Sequence, residues 1–319
     1  MPTPDLSILI AAHRVQDLVP AAVASVLDRA VGASVEVIVV SDDGTDYAPL
    51  LPADPRLRFT EVGPVRTGAC AARNRGLAIA TGAHVTMLDG DDAFEGPPDA
   101  IARALDLARP QGGVLVPTVV RAPDGTEVRR VPAPGARRFG FAEWGSAFSS
   151  LHLIARRAFV SRYESFTLID DVITDLRTLA AVCGEVPVAE GLAYRYQLRA
   201  GQMTDTAGTR FDAEYAEALR RIAQDGFGFG AHAADAARVL RRWRAMNRLV
   251  GGGSGRPALG DYHRLVRAYL DGEWPAGRRG VMPPSLADDR IIDEAKGMAR
   301  GAGGAAARET QTDASRHEG

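Results

Sequence analysis

GACAARNRGLAIATGAHVTMLDGDDAF, residues 68–94, sets a small-residue helix against an acidic strand end. Gly68, Ala69, Ala71 and Ala72 open the helical half, followed by Arg73, Asn74 and Gly76. The apolar run 84–88 reads as a strand and leads directly into Asp89-Gly90-Asp91-Asp92. Three carboxylates this close repel one another, and each resists losing its water unless paired. A divalent cation held by oxygen ligands would resolve that conflict. A solvated acidic turn is the plainer alternative. Gly90 allows a ligand close to the backbone, although an ordinary turn also uses glycine.

Outward from this stretch the chain alternates strand and helix. LSILIAA at 6–12 and VEVIVV at 35–40 are nearly continuous apolar runs, the pattern of strands buried on both faces of a parallel sheet. Residues 18–29 carry a helical period between them, completing a β-α-β unit. A proline-rich loop follows, with a short strand at 57–62. Beyond the opening stretch the pattern gives a helix at 99–108, one strand at 113–121, and a turn at Asp124-Gly125 into a strand at 127–131. Further on come a strand and helix start at 149–159, a helix at 172–182 and short strands at 186–188 and 192–198. Helical patterns then take over, at 212–224, 233–250, 259–270 and 285–300. Residues 301–319 have no apolar period and read as disordered.

Alternation of this kind implies an α/β sheet with helices on both faces, whose ligands bind at the carboxyl ends of the strands. His13, Arg14, Asp42, Asp43, Asp89 and Asp91 all fall at such ends.

Composition narrows the function. A net charge of −2 argues against a general nucleic-acid binder. Two cysteines, Cys70 and Cys183, are too few for a disulfide framework and read as small buried residues. No run approaches the roughly 20 apolar residues of a membrane span, and no basic segment precedes the first apolar run. A cytoplasmic protein is expected, with peripheral contact at the inner membrane face left open. The chain has no G-x-G-x-x-G after its first strand and no G-x-x-x-x-G-K-[ST], so hydride transfer and P-loop chemistry lose support.

Several residues have two readings each. Asp43 sits in SDDGTD, which is a tight turn or a strand-end acid for a ribose. Alternate carboxylates at Asp89 and Asp91 can converge on Mg2+ or Mn2+ while phosphates complete the shell. Arg73 and Asn74 are exposed helix residues or face the donor. Asp170-Asp171 is a helix start or supplies a general base, with Arg177 a candidate to balance its charge. In YRYQLRAGQMT, residues 194–204, Arg199 or Thr204 could hold a leaving diphosphate. Trp144 and His152 are weaker candidates for stacking on a sugar or base.

Taken together, SILIAAHR, VIVVSDDGTD, the opening stretch, IDDVITDLR and YRYQLRAGQMT resemble family 2 of the inverting, nucleotide-sugar-dependent glycosyltransferases. The resemblance spans about residues 5–205. It implies a GT-A fold: a Rossmann-like, mostly parallel sheet flanked by helices, here with a C-terminal helical extension. The expected division is a catalytic domain at 1–205, a helical region at 206–300 and a tail at 301–319. It further implies that Ala12 and Asp43 meet the base and ribose, usually of UDP. Asp89 would lie near the sugar or ribose and Asp91 on the metal, Mg2+ or Mn2+. Asp171 would be the catalytic base, and Asp170 stands where a Glu is more usual. Arg73, Asp170 and Arg199 are grouped with the donor contacts. Ala12-His13-Arg14 departs from the Pro-Tyr-Asn run common in the family, and Asp17 is a candidate for the acid that follows it. The acceptor would be a glycan, a lipid-linked glycan or a small molecule. The C-terminal helices would pack on the catalytic domain or pair two copies. A sugar-nucleotide nucleotidyltransferase and an inactive nucleotide-sugar-binding protein are the competing readings.

Overall fold

The computed structural model describes residues 3–60, 66–199, 208–251 and 261–271. Its central sheet has six strands in the order β3 (Leu57–Phe59), β2 (Val35–Ser41), β1 (Leu6–Ala12), β4 (His84–Met87), β10 (His152–Arg156) and β6 (Gly113–Val116). The first four run parallel, and β10 is antiparallel to both of its neighbours. Helices α1 (Val19–Leu27) and α3 (Ala100–Gln111) cover one face, and α2 (Ala69–Ile79) covers the other.

The continuous apolar runs are explained by this sandwich. Ile8 and Ile10 enter one buried cluster, while Leu9 enters the other with Ile38, Val40 and Ala72. Helix α2 lies hard against the sheet at Gly76, where a Cβ would sit 3.1 Å from Val40 Cγ2 and 3.4 Å from Leu9 Cδ2. That close approach is why a poorly amphipathic helix can pack here at all.

Two expectations need correction. The single strand read at 113–121 is two strands broken at Pro117. Strand β6 stays in the central sheet, and β7 (Thr118–Arg121) leaves for a second one, because proline cannot donate to the ladder. This second sheet runs β5 (Ala93–Glu95), β12 (Ala193–Gln197), β7, β8 (Glu127–Val131). Strand β5 begins immediately after the acidic loop, so the loop's exit is pinned to β12 through Tyr194↔Phe94 and Arg195↔Ala93. A small ribbon pairs β9 (Arg138–Gly140) with β11 (Glu185–Pro187). The cysteines also differ from expectation: Cys183 is exposed and Cys70 half-buried.

The remaining helices are α4 (Phe141–Trp144), α5 (Asp170–Ala181), α6 (Gly208–Asp225), α7 (Ala233–Gly251) and α8 (Asp261–Leu270). The apolar side of α7 is spent on the body of the fold. Trp243 donates from Nε1 to the Trp144 carbonyl at 2.9 Å and packs 6.4 Å from the Phe148 ring. The helix expected at 285–300 and the tail at 301–319 lie outside the described residues.

At the opposite end of the sheet from the acidic loop, buried Glu36 ties three segments together. It accepts from Ser7 Oγ at 2.5 Å, from the backbone N–H groups of Thr81 and Gly82, and from Arg58 at 2.5 Å. Burial works against its charge. The Ser7, Thr81 and Arg58 donors win, lowering its pKa from 4.5 to about 2. Glu36→Ala strands these donors, and a loss of about 3–5 kcal/mol in urea unfolding is expected. A depressed carboxylate stabilises above its unfolded pKa and loses that contribution as pH falls toward its folded one. The gap between wild type and variant should therefore narrow from about pH 6 to about pH 3; a constant gap would mean that the charge of Glu36 is not what matters.

Candidate active site

Strand β12 clasps the acidic loop at three points. Asp89 donates its backbone N–H to Tyr194 Oη at 3.1 Å, and that hydroxyl donates to Asp92 Oδ2 at 2.8 Å. Gln197 N donates to Asp92 Oδ1 at 2.8 Å. Just past the strand, Arg199 Nε donates to Asp91 Oδ2 at 2.8 Å. Asp92, which had no role in the sequence, is the buried anchor of the loop. Burial and then the charges of Asp91 and Asp89 push its pKa well up, while the Gln197 and Tyr194 donors oppose that rise. His152 lies beneath, stacked on Tyr194 at 3.7 Å between centroids, and burial lowers its pKa to about 4. It supports the floor. Trp144 is fully buried and is a core residue, not a stacking platform.

Arg73 joins the two acidic centres. From α2 it donates Nη2 to Asp89 Oδ1 at 2.8 Å and Nη1 to Asp170 Oδ2 at 2.7 Å, with Tyr163 5.7 Å away under the guanidinium. The side chains of Arg73 and Asp170 are only 7% and 3% exposed, against 34% for Asp89. Arg73 and Asp170, grouped with the donor contacts in the sequence, form a buried strut, and Asp89 carries its open end. Asn74 is likewise turned inward, exchanging two hydrogen bonds of 2.9 Å with the Tyr163 backbone. Arg177 does not balance Asp171; it pairs with Glu164 at 2.7 Å.

Asp170 and Asp171 open α5 and differ in access. Burial first, and then the charge of Asp171, raises Asp170 to about 6 despite Arg73. Asp171 is half-buried, and its Oδ1 accepts from Val172 N at 2.8 Å. Its pKa is raised by burial and by the negative charge of Asp89, with Arg73 opposing. A reachable carboxylate with raised basicity suits proton abstraction.

Just past the end of β2 the tandem acids part company in the bend that follows the strand. Asp42 turns inward to cap the approach to α2. It accepts from Thr67 N at 3.0 Å, the Thr67 hydroxyl, Gly68 N at 2.9 Å and Arg75 at 3.1 Å. Asp43 faces β1 and accepts from Arg14 N at 2.6 Å, Thr45 N at 3.0 Å, Tyr47 Oη at 2.9 Å, Gln16 at 3.2 Å and Ser41 at 3.3 Å. These donors outweigh burial and lower its pKa to about 2. Arg14 holds φ at 57°, an uncommon angle for arginine, where its N–H reaches Asp43. Ala12 is fully buried, and its carbonyl accepts from Asp42 N at 2.8 Å, tying the end of β1 to the turn after β2. Asp17 is exposed at the approach to α1. Thr204 lies outside the described residues.

A cation has a partial donor set here. Among the described residues no group of three or more His, Cys, Asp or Glu side chains is arranged to hold a metal. Asp89 and Asp91 offer oxygen only. Burial and then the repulsion of Asp89 raise the pKa of Asp91 even with Arg199 bound. A donor set of carboxylate oxygens alone suits Mg2+ or Mn2+ better than a softer ion.

Similarity to known proteins agrees with this geometry. The family described as glycosyl transferase family 2 matches residues 7–167, ending just before Asp170. The succinoglycan biosynthesis protein ExoO of Rhizobium meliloti (strain 1021) is 30% identical over 249 residues, covering 70% of each chain. Among solved structures, residues 1–349 of S. aureus TarS match with a TM-score of 0.50 at 14% identity, over 85% of this chain and 83% of that one. The same fragment in complex with UDP-GlcNAc gives 0.52 at 15% identity, over 77% and 72%. The TarS likeness is one of fold, and it carries the GT-A architecture expected from the sequence.

Proposed function

The chain belongs to glycosyl transferase family 2, and from that premise we propose that it moves a sugar from a UDP-sugar to an acceptor hydroxyl, inverting the anomeric carbon. The observation that carries this reading is the Arg73 fork. One guanidinium holds an open carboxylate, Asp89, on one arm, and on the other the helix start that bears Asp171. A donor at the strand ends and an acceptor at α5 would meet across it. The complex of TarS with UDP-GlcNAc supports a UDP-sugar as donor. The role of ExoO in succinoglycan biosynthesis supports a glycan acceptor, free or lipid-linked. No helix among the described residues is long and apolar enough to cross a membrane.

Asp89 orients the donor, and Asp43 gives up its two longest contacts, to Gln16 and Ser41, to a ribose hydroxyl. Asp171 takes the proton of the acceptor hydroxyl as that oxygen attacks the anomeric carbon. The bond from that carbon to the diphosphate oxygen breaks on the opposite face, and its electron pair leaves with the UDP. A single displacement needs a single catalytic carboxylate, unlike glycoside hydrolysis, which uses two. Mg2+ or Mn2+ at Asp91, beside Asp89, would offset the charge gathering on the diphosphate. Arg199 stands ready to exchange Asp91 for phosphate.

A panel of UDP-, GDP-, CDP- and dTDP-sugars tests this directly. Release of UDP is expected from at least one UDP-sugar, falling about tenfold or more on chelation and returning with Mg2+ or Mn2+. Turnover of GDP- or CDP-sugars alone would overturn the donor assignment. Turnover unchanged by chelation would overturn the metal.

A further inference from the structure

Helix α6 lies beyond the residues matched to the family, yet it grips the segment that delivers Asp171. Both carboxylate oxygens of Glu214 accept from that segment: Oε1 from Thr167 N at 3.0 Å and Oε2 from Leu168 N at 2.9 Å. One heptad further along α6, Arg221 reaches Glu164 at 3.6 Å and lies 5.1 Å from the Phe166 ring. Phe166 also packs edge-on against Phe227, at 6.2 Å. The backbone from Glu164 to Leu168 has no ladder of its own, and its N–H groups need partners. A single side chain serves two of them, immediately before Asp170 and Asp171 open α5.

We infer that Glu214 is a positioning residue for the transfer reaction, fixing the α5 entry so that Asp171 meets the acceptor hydroxyl at reacting distance. The inference rests on Asp171 being the base. It also gives the C-terminal helices a task in the chemistry beyond covering the core. Arg73 fixes the same helix start from the donor side through Asp170, so α5 is held from two directions. Removing one restraint lets the base drift, and a displacement of about 1 Å can cost roughly 100-fold in rate.

The test uses the full chain and the donor it turns over best. Glu214→Ala is expected to lower kcat by about 10- to 100-fold, with donor KM within about threefold of wild type. Glu214→Gln keeps one acceptor oxygen and should fall in between; it carries the same comparison if the alanine variant does not fold. A role confined to stapling α6 would lower the melting temperature and leave kcat within about twofold at temperatures where the variant stays folded, and that result overturns the inference. A donor KM that rises in proportion also overturns it. Asp171→Asn run in parallel separates the two levels. If that variant turns over normally, the base assignment and this inference fall together. If it is dead while Glu214→Ala is unimpaired, only the inference falls.

Discussion

Asp171→Asn is expected to lower the transfer rate by about 10²–10⁴-fold while leaving donor affinity within about threefold. Asparagine keeps the size of the side chain and an oxygen to accept from Val172 N, so the start of α5 should stay in place. It cannot accept a proton at neutral pH. At about 1.4 kcal/mol per decade the loss amounts to about 3–6 kcal/mol of transition-state stabilisation. The pH profile supplies an independent check. A base must be ionised to work, so activity rises with pH through its pKa. Burial and the charge of Asp89 raise that pKa, so the acid limb of the wild-type profile should lie above the usual aspartate value of about 3.9. An Asn variant with wild-type turnover, or an acid limb below that value, would remove Asp171 from the role.

How far the sequence carried depends on the range of the interactions. Strands β1, β2 and β4 were legible because burial on both faces leaves an unbroken apolar run, and the acids at their ends follow from where parallel sheets bind ligands. Short strands were legible only in part: β3, β8, β11 and β12 fall where short strands are expected, and β5 and β9 do not. Strand β5 has three residues and exists because β12 pairs with it, and nothing within Ala93–Glu95 announces that. Pro117 is the visible sign in the sequence that residues 113–121 cannot be one interior strand, and the apolar run on either side of it masks the break. In the site, residue types were legible and their directions were not. Asp42 and Asp43 are adjacent and chemically identical, and the bend after β2 sends one to the approach of α2 and the other to the Arg14 backbone beyond β1. The sequence leaves Arg73 either exposed or facing the donor, and its bridging of two acids is hidden because those partners are 16 and 97 positions away. Tyr194 and Asp92 are 102 apart. No local pattern encodes such pairs; packing of α2, β12 and α5 around one point creates them.

Arg73→Met is expected to produce the largest combined effect, abolishing transfer and destabilising the fold by about 3–5 kcal/mol. Methionine fills much of the buried space but leaves Asp89 and Asp170 facing each other without the cation between them. In the wild type the two acids pull in opposite directions: burial favours the neutral form of both, Arg73 brings Asp89 below its ordinary pKa, and Asp170 stays raised to about 6. Without the guanidinium both should be raised. A raised carboxylate stabilises the fold below its unfolded pKa and loses that contribution as pH rises through the folded one. The stability deficit of the variant should therefore be larger at about pH 8 than at about pH 5, and urea unfolding at both values measures it. An equal deficit at the two pH values would mean that Arg73 acts through packing and not through charge. Lysine is not an adequate replacement, because its single compact ammonium cannot span two carboxylates as the planar fork does. Arg73→Lys should recover part of the stability and little of the transfer. Asp171 responds as well: Arg73 lowers its pKa, so the residual activity of the lysine variant should show its acid limb at the wild-type position or higher, never lower. A limb shifted downward would break the electrostatic link between the donor loop and the base.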